Sequence, residues 1–238
     1  MDHNGGESTH VKPPGVLCSG SIVYDTLVQP VDEIRWGTTQ WISSLEYHVG
    51  GNGANTARAL AVLGTPVRLL GVVGNDAPAD FILGALSQAG VDTSRIRRCK
   101  EPTAATVVVI NSSGDRQFLH RLGSSSYAFE EPTEFTAELC QDVSHYHFAS
   151  LFVLPHLRRH GPEMLNRARK AGLTTSLDTN WDPLGKWMGT LSPLLPYVDI
   201  LFMNEDEALM TTGSGDPALA ASVVLNRGVG TAVMKLGR

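Results

Sequence analysis

The stretch that most limits the fold is Tyr47-His48-Val49-Gly50-Gly51-Asn52-Gly53-Ala54-Asn55-Thr56-Ala57. Leu45, Tyr47 and Val49 alternate as a strand does and run into Gly50, Gly51 and Gly53. An Ala/Leu-rich helix is read from Asn55 to Leu63, with Gly64 as its C′ residue and Pro66 barring continuation. Val67 to Val73 reads as a buried strand. The unit is strand, glycine loop, helix, strand. Glycines let a backbone come close to a ligand, and the first amides of a helix lack intrahelical partners. The expectation is that these amides point, unpaired, at a small polar or anionic guest.

The rest of the chain extends this unit. Val16-Leu17-Cys18 is a short strand, with Asp25 at its C-terminal end. Residues 32–49 lack helical periodicity and read as a hairpin outside the main sheet, with Trp36 and Trp41 packing across its strands or else stacking on a sugar. Asp76 caps a helix from Pro78 to Ala89. Thr103 to Ile110 and Arg116 to Arg121 flank the turn Asn111 to Asp115, a second hairpin. Glu131 to Cys140 reads as a short helix. From His145 onward strands and helices alternate at βαβ spacing: strands at 145–150, 173–177, 198–203 and 231–236, helices at 156–171 and 216–226. That pattern means a largely parallel sheet with helices on both faces. His145 and His147 alternate on one strand and so share a face.

Composition excludes several classes. The net charge of −5 and the lack of a basic stripe argue against a nucleic-acid partner. No apolar run approaches the roughly 20 residues of a membrane span. Cys18, Cys99 and Cys140 are odd in number and far apart, which fits reduced thiols in a cytoplasmic protein. There is no CxxC or HExxH to suggest zinc. Met1 to Gly15 is polar and reads as a disordered lead-in, leaving one domain over 16–238.

Asp25, Asp178, Asn180, Asn204 and Glu207 all fall at or just beyond strand C-termini, the edge where open α/β sheets bind ligands. Each alone suits a turn. Together with the glycine loop they describe an edge rich in carboxylates and amides, suited to Mg²⁺ with phosphate or to sugar hydroxyls.

At this point the residues resemble the PfkB-type (ribokinase-like) carbohydrate kinases. Gly50 to Ala57, then Gly64, Gly74-Asn75-Asp76 and Leu86…Gly90-Val91-Asp92 match the spacing of that family's first signature. Gly20-Ser21…Asp25, Leu177 to Asn180 and Asn204 to Ala208 fall where it has further motifs. The resemblance implies a three-layer α/β/α domain with a small β-sheet lid at about 32–49 and 103–122. It implies phosphoryl transfer from ATP, with Mg²⁺, to a sugar or nucleoside hydroxyl. Asp25, Gly51 and Asn55 would bind the acceptor. Asn204, Glu207, Lys235 and Gly237 would face the nucleotide, with Glu207 at the metal. The lid would be able to form a homodimer through its edges.

The family's second signature is a Gly-rich loop at a helix start ending in the Asp that acts as base. It follows the strand that here is 231–236. The reading therefore expects the base to belong beyond Arg238, the C-terminal part to be missing and the chain to have little activity. Thr211-Thr212-Gly213-Ser214-Gly215-Asp216 imitates that loop in the wrong place, and Asp216 reads better as an N-cap before Pro217. Two alternatives stay open. One is a non-catalytic sugar-binding remnant. The other is a dinucleotide-binding dehydrogenase, from Gly51-x-Gly53 with Asp76 about 20 residues on.

Overall fold

The computed structural model describes residues 14–237. The lead-in expected over 1–15 lies outside the described residues apart from its end, and Gly15 already belongs to a strand. Arg238, beyond which the base was expected, also lies outside the described residues. Among the described residues the strands, in chain order, are β1 (Gly15–Ser19), β2 (Val23–Gln29), β3 (Ser44–Gly50), β4 (Val67–Val73), β5 (Ile96–Arg98), β6 (Ala105–Ile110), β7 (Arg116–Arg121), β8 (Val143–Ala149), β9 (Thr174–Asp178), β10 (Ile200–Asn204) and β11 (Thr231–Lys235). The helices are α1 (Asn52–Val62), α2 (Ala77–Gln88), α3 (Pro155–Lys170), α4 (Met188–Leu191), α5 (Glu205–Thr212) and α6 (Pro217–Leu225).

Seven strands form one parallel sheet in the order β11-β10-β9-β8-β1-β4-β5. Successive strand residues face opposite sides, so the sheet feeds two cores. Leu17, Tyr146, Phe148, Leu177, Leu201 and Met203 pack against Leu157, Met164 and Leu165 of α3 and Ala220 and Val224 of α6. Cys18, Val67 and Leu69 pack on the other side against Ala54 and Ala57 of α1 and Ile82 and Leu86 of α2. Each fully buried Leu or Ile in these layers contributes on the order of 1.5–3 kcal/mol. This is the expected three-layer arrangement.

Four strands, β3-β2-β6-β7, form the separate small sheet. Its first hairpin is not where the sequence placed it. β2 and β3 pair antiparallel from Val23↔Gly50 to Gln29↔Ser44, and residues 30–43 are their connection. Trp36 and Trp41 lie in that connection, 93% and 90% exposed, rather than packing across strands. Asp25 consequently sits inside β2 and not at the end of β1. Residues 131–140 form turns rather than a helix; only Leu139 is buried there, too little apolar surface to hold a helix on the sheet.

Candidate active site

The C-terminal ends of the parallel strands share one edge. There the ends of β1 and α1 nearly touch. A Cβ on Gly20 would lie 2.8 Å from the Cα of Gly53, and one on Gly53 2.7 Å from the Cα of Gly20. Any side chain at either position would push the helix off the sheet. Gly51, the N-cap of α1, has φ +88°, and a Cβ there would fall 2.5 Å from the Ser21 carbonyl.

Two of the first amides of this helix are not free, contrary to expectation. Asn52 N donates to Ser21 Oγ at 3.2 Å and Ala54 N to the Ser21 carbonyl at 3.3 Å. Ser21 Oγ is 2.7 Å from Ser150 Oγ, whose oxygen also accepts from Ser21 N at 3.2 Å. Both serines are buried. The chain leaving β1 has lost its ladder partners, and its free groups meet those of the helix. The two serines brace α1 between β1 and β8. The sequence reading missed this brace, because nothing in local spacing relates Ser21 to Ser150.

Asp25 lies in a cross-strand row of the small sheet, paired with His48 on one side and Thr106 on the other, with His120 beyond Thr106. Gly50 makes room for its carboxylate: a Cβ at Gly50 would sit 1.9 Å from Asp25 Oδ2. Burial pushes the Asp25 pKa above the ordinary carboxylate value, against the Thr106 hydrogen bond and the His48 charge, which pull it down. Thr106 Oγ1 is 3.0 Å from His120 Nδ1, and His48 Nε2 is 2.9 Å from Glu46 Oε2. Asn55 is exposed on α1, and its side chain has no hydrogen bond among the described residues.

Asn52, rather than Asn55, reaches the centre of the edge. Its Nδ2 donates to Asp178 Oδ2 at 3.4 Å. Asp178, at the end of β9, also pairs with Lys235 Nζ of β11 at 2.7 Å through Oδ1. Burial raises the Asp178 pKa; the Lys235 ion pair opposes this and the Glu207 charge adds to it. The sequence marked Asp178 only as a strand end; its place between Asn52 and Lys235 depends on the sheet order.

Glu207 is buried at 6% exposure. Its Oε2 accepts from Asn204 N at 2.9 Å and from Thr179 Oγ1 at 2.8 Å, while Asn204 Oδ1 accepts from Glu207 N at 2.7 Å. Asn204 and Glu207 are therefore the capping box of α5, a helix the sequence reading did not place. Glu207 Oε1 has no partner among the described residues. Gly237 is exposed with φ +64°, just past β11. Asp216 caps α6, accepting from Ala218 N at 2.8 Å and Leu219 N at 3.1 Å, as expected for the N-cap. Among the described residues no three His, Cys, Asp or Glu side chains cluster as a metal site. The donor set nonetheless suits a hard ion: the free Glu207 oxygen and the nearby Asp178 carboxylate are both hard oxygens.

His145 and His147 share a face as expected and meet at Ser176 Oγ, 2.7 Å from each. Burial, then His145 and Lys235, lowers the His147 pKa from 6.5 to about 4. Open concavities also lie along Gly15, Arg68 and Asp92 at the opposite edge and beside the 30–41 connection. The polar edge is singled out by its chemistry.

The pfkB family carbohydrate kinases match this chain over residues 14–238, and the chain belongs to that family. It is similar to 2-dehydro-3-deoxygluconokinase of Bacillus subtilis (strain 168), 26% identical over 213 residues that cover 86% of this chain and 66% of that protein. It is also similar to probable fructokinase-4 of Arabidopsis thaliana, 24% identical over 172 residues, 69% of this chain and 53% of that protein. The chain thus spans about half to two thirds of the length of these relatives. Its fold is ribokinase-like: the structure of Arabidopsis thaliana ribokinase complexed with ribose and ATP superposes with a TM-score of 0.78 at 24% identity, covering 94% of this chain and 72% of that one. The dehydrogenase alternative falls with this. Asp76 is spent as the cap of α2 and on Thr103, and β3 pairs antiparallel outside the main sheet.

Proposed function

We propose that this domain serves the ATP-dependent phosphorylation of a sugar or nucleoside hydroxyl. One observation carries the reading. A single edge holds Asp25 and the glycine loop on one flank and Lys235, Asn204 and Glu207 on the other, and Asn52 and Asp178 tie the flanks together. The named activities of the relatives point the same way.

In this reading Asp25 accepts hydrogen bonds from acceptor hydroxyls, with Gly51 and the Asn55 amide beside it. Lys235 and the Gly237 amide face the phosphates. Asn204 and Glu207 hold Mg²⁺ and the triphosphate through water, with Glu207 Oε1 free to do so. Mg²⁺, when bound, would neutralise phosphate charge. We assign no general base among these residues, since Asp216 is engaged as a cap. A homodimer would form through β3 and β7, the edges of the small sheet. The three free cysteines fit a cytoplasmic setting.

Calorimetry tests this on the 238-residue chain. ATP and one member of a panel of ribose, fructose, 2-dehydro-3-deoxygluconate and adenosine are expected to bind, with little turnover in a coupled ADP-release assay. NAD binding without ATP binding would refute the kinase reading. Ordinary turnover would show that one of these residues does act as the base.

A further inference from the structure

The shared edge holds two carboxylates in each other's field and one ammonium. Asp178 is 17% exposed at its side chain, and Lys235, on the outermost strand of the sheet, is 43% exposed. Lys235 Nζ sits 2.7 Å from Asp178 Oδ1. Asp178 Oδ2 faces Asn52 Nδ2 at 3.4 Å. Glu207 keeps Oε1 unused, its other oxygen being shared between Asn204 N and Thr179 Oγ1. One positive charge set against two negative ones leaves hard oxygens and a net negative edge. That is the environment a divalent hard cation seeks.

Such an ion and the ammonium cannot use Asp178 together. Mg²⁺ requires oxygen ligands in near-octahedral array at close range, and an ammonium at hydrogen-bond distance from Oδ1 both blocks that oxygen and repels the ion. The two partners also differ in freedom. Asp178 is held by burial and by Asn52, whereas Lys235 swings on a flexible four-carbon stem at an exposed edge.

We propose that Lys235 is a tethered cation that competes with a divalent ion for Asp178. Without ligand the ammonium occupies the carboxylate. When an ion takes its place, Lys235 is released toward the open edge, where the phosphate oxygens would lie. Only that last role rests on the kinase reading; the competition does not. Lys235 is thus a positioning residue that sets how tightly the edge holds metal in the absence of nucleotide.

The test titrates Mn²⁺ alone into the nucleotide-free 238-residue chain, following free ion by electron paramagnetic resonance. Lys235→Met is expected to bind Mn²⁺ at least tenfold tighter than the parent chain. Lys235→Arg, which keeps the ion pair, is expected to stay within about twofold of the parent. Asp178→Asn in the Lys235→Met background is expected to abolish the gain. Unchanged or weaker binding by Lys235→Met overturns the proposal, as does a gain that survives Asp178→Asn. Circular dichroism checks that each variant is folded, and Lys235→Gln replaces the Met variant if that one aggregates. A parent chain that fails to bind ATP while Lys235→Met still gains Mn²⁺ affinity would sink the kinase reading and leave the competition standing.

Discussion

Glu207 stands at the crossing of two jobs, and one substitution separates them. Its carboxylate holds the start of α5 through Asn204 N at 2.9 Å and fixes Thr179 Oγ1 at 2.8 Å. Hydrogen bonds to a charged group contribute about 1.5–3 kcal/mol each. The two losses in Glu207→Ala are unequal. Asn204 is exposed, so its amide regains water. Thr179 is fully buried and keeps only a longer bond, 3.4 Å, to the Phe202 carbonyl. The expected cost is therefore about 2 kcal/mol, below the sum of the two bonds. For a domain of this size that is a fall in Tm of about 4–8 °C. Glu207→Gln keeps an oxygen acceptor at the same place and should cost about half as much. Thermal unfolding followed by circular dichroism in EDTA excludes any contribution from bound metal. A fall below about 2 °C for the Ala variant, or an equal fall for Gln and Ala, would refute the claim that this carboxylate anchors the helix. Under the kinase reading Gln should nonetheless lose Mn²⁺ affinity as fully as Ala does.

Gly50→Ala should displace the Asp25 carboxylate, since the new methyl would lie 1.9 Å from Oδ2; calorimetry should show acceptor affinity falling more than tenfold with ATP binding unchanged, and unchanged acceptor affinity would remove Asp25 from the acceptor site. Because burial raises the Asp25 pKa, acceptor affinity should fall on acidification at a higher pH than the ordinary carboxylate value of about 4, and Asp25→Asn should flatten that profile. His147 stays neutral when folded but charges at 6.5 when unfolded, with a folded value of about 4, so stability is full above 6.5 and is lost as pH falls through this window. Urea unfolding should show a loss of about 2 kcal/mol between pH 7 and 5, most of it absent in His147→Asn. Asp216→Ala should cost about 1 kcal/mol as a lost N-cap and leave ATP binding untouched; a large drop in ATP affinity would restore Asp216 as a ligand-facing residue.

Elements governed by local rules were legible. Val67 to Val73 lies where the apolar run put it, and Asp76 and Asp216 cap the helices that their positions announced. The misses were of two kinds. Asn204-x-x-Glu207 is a capping-box pattern and was readable as the start of α5, but the short, weakly amphipathic stretch after it hid the helix. Asn52, Ser21, Ser150 and the link from Asp178 to Lys235 were not readable at all. Each contact depends on which strands become neighbours, and only the order β11-β10-β9-β8-β1 brings them together. Asp25 shows the same limit, since its strand belongs to a second sheet whose pairing with β6 is remote in sequence.

The brace at the end of β1 also sets a schedule for folding. Ser21 meets Asn52 across 31 residues but Ser150 across 129. Two doublings of loop length add about 1.2 kcal/mol of closure entropy. The unit β1-α1-β4 can therefore dock early, with half of its brace in place. The other half waits for β8, after the whole small sheet has been threaded between. On a ribosome no amount of waiting completes this edge until Ser150 has emerged. The part of the surface that would meet a ligand is among the last to become rigid, and a pause in synthesis before that point holds the nascent chain with β1 bare along one side.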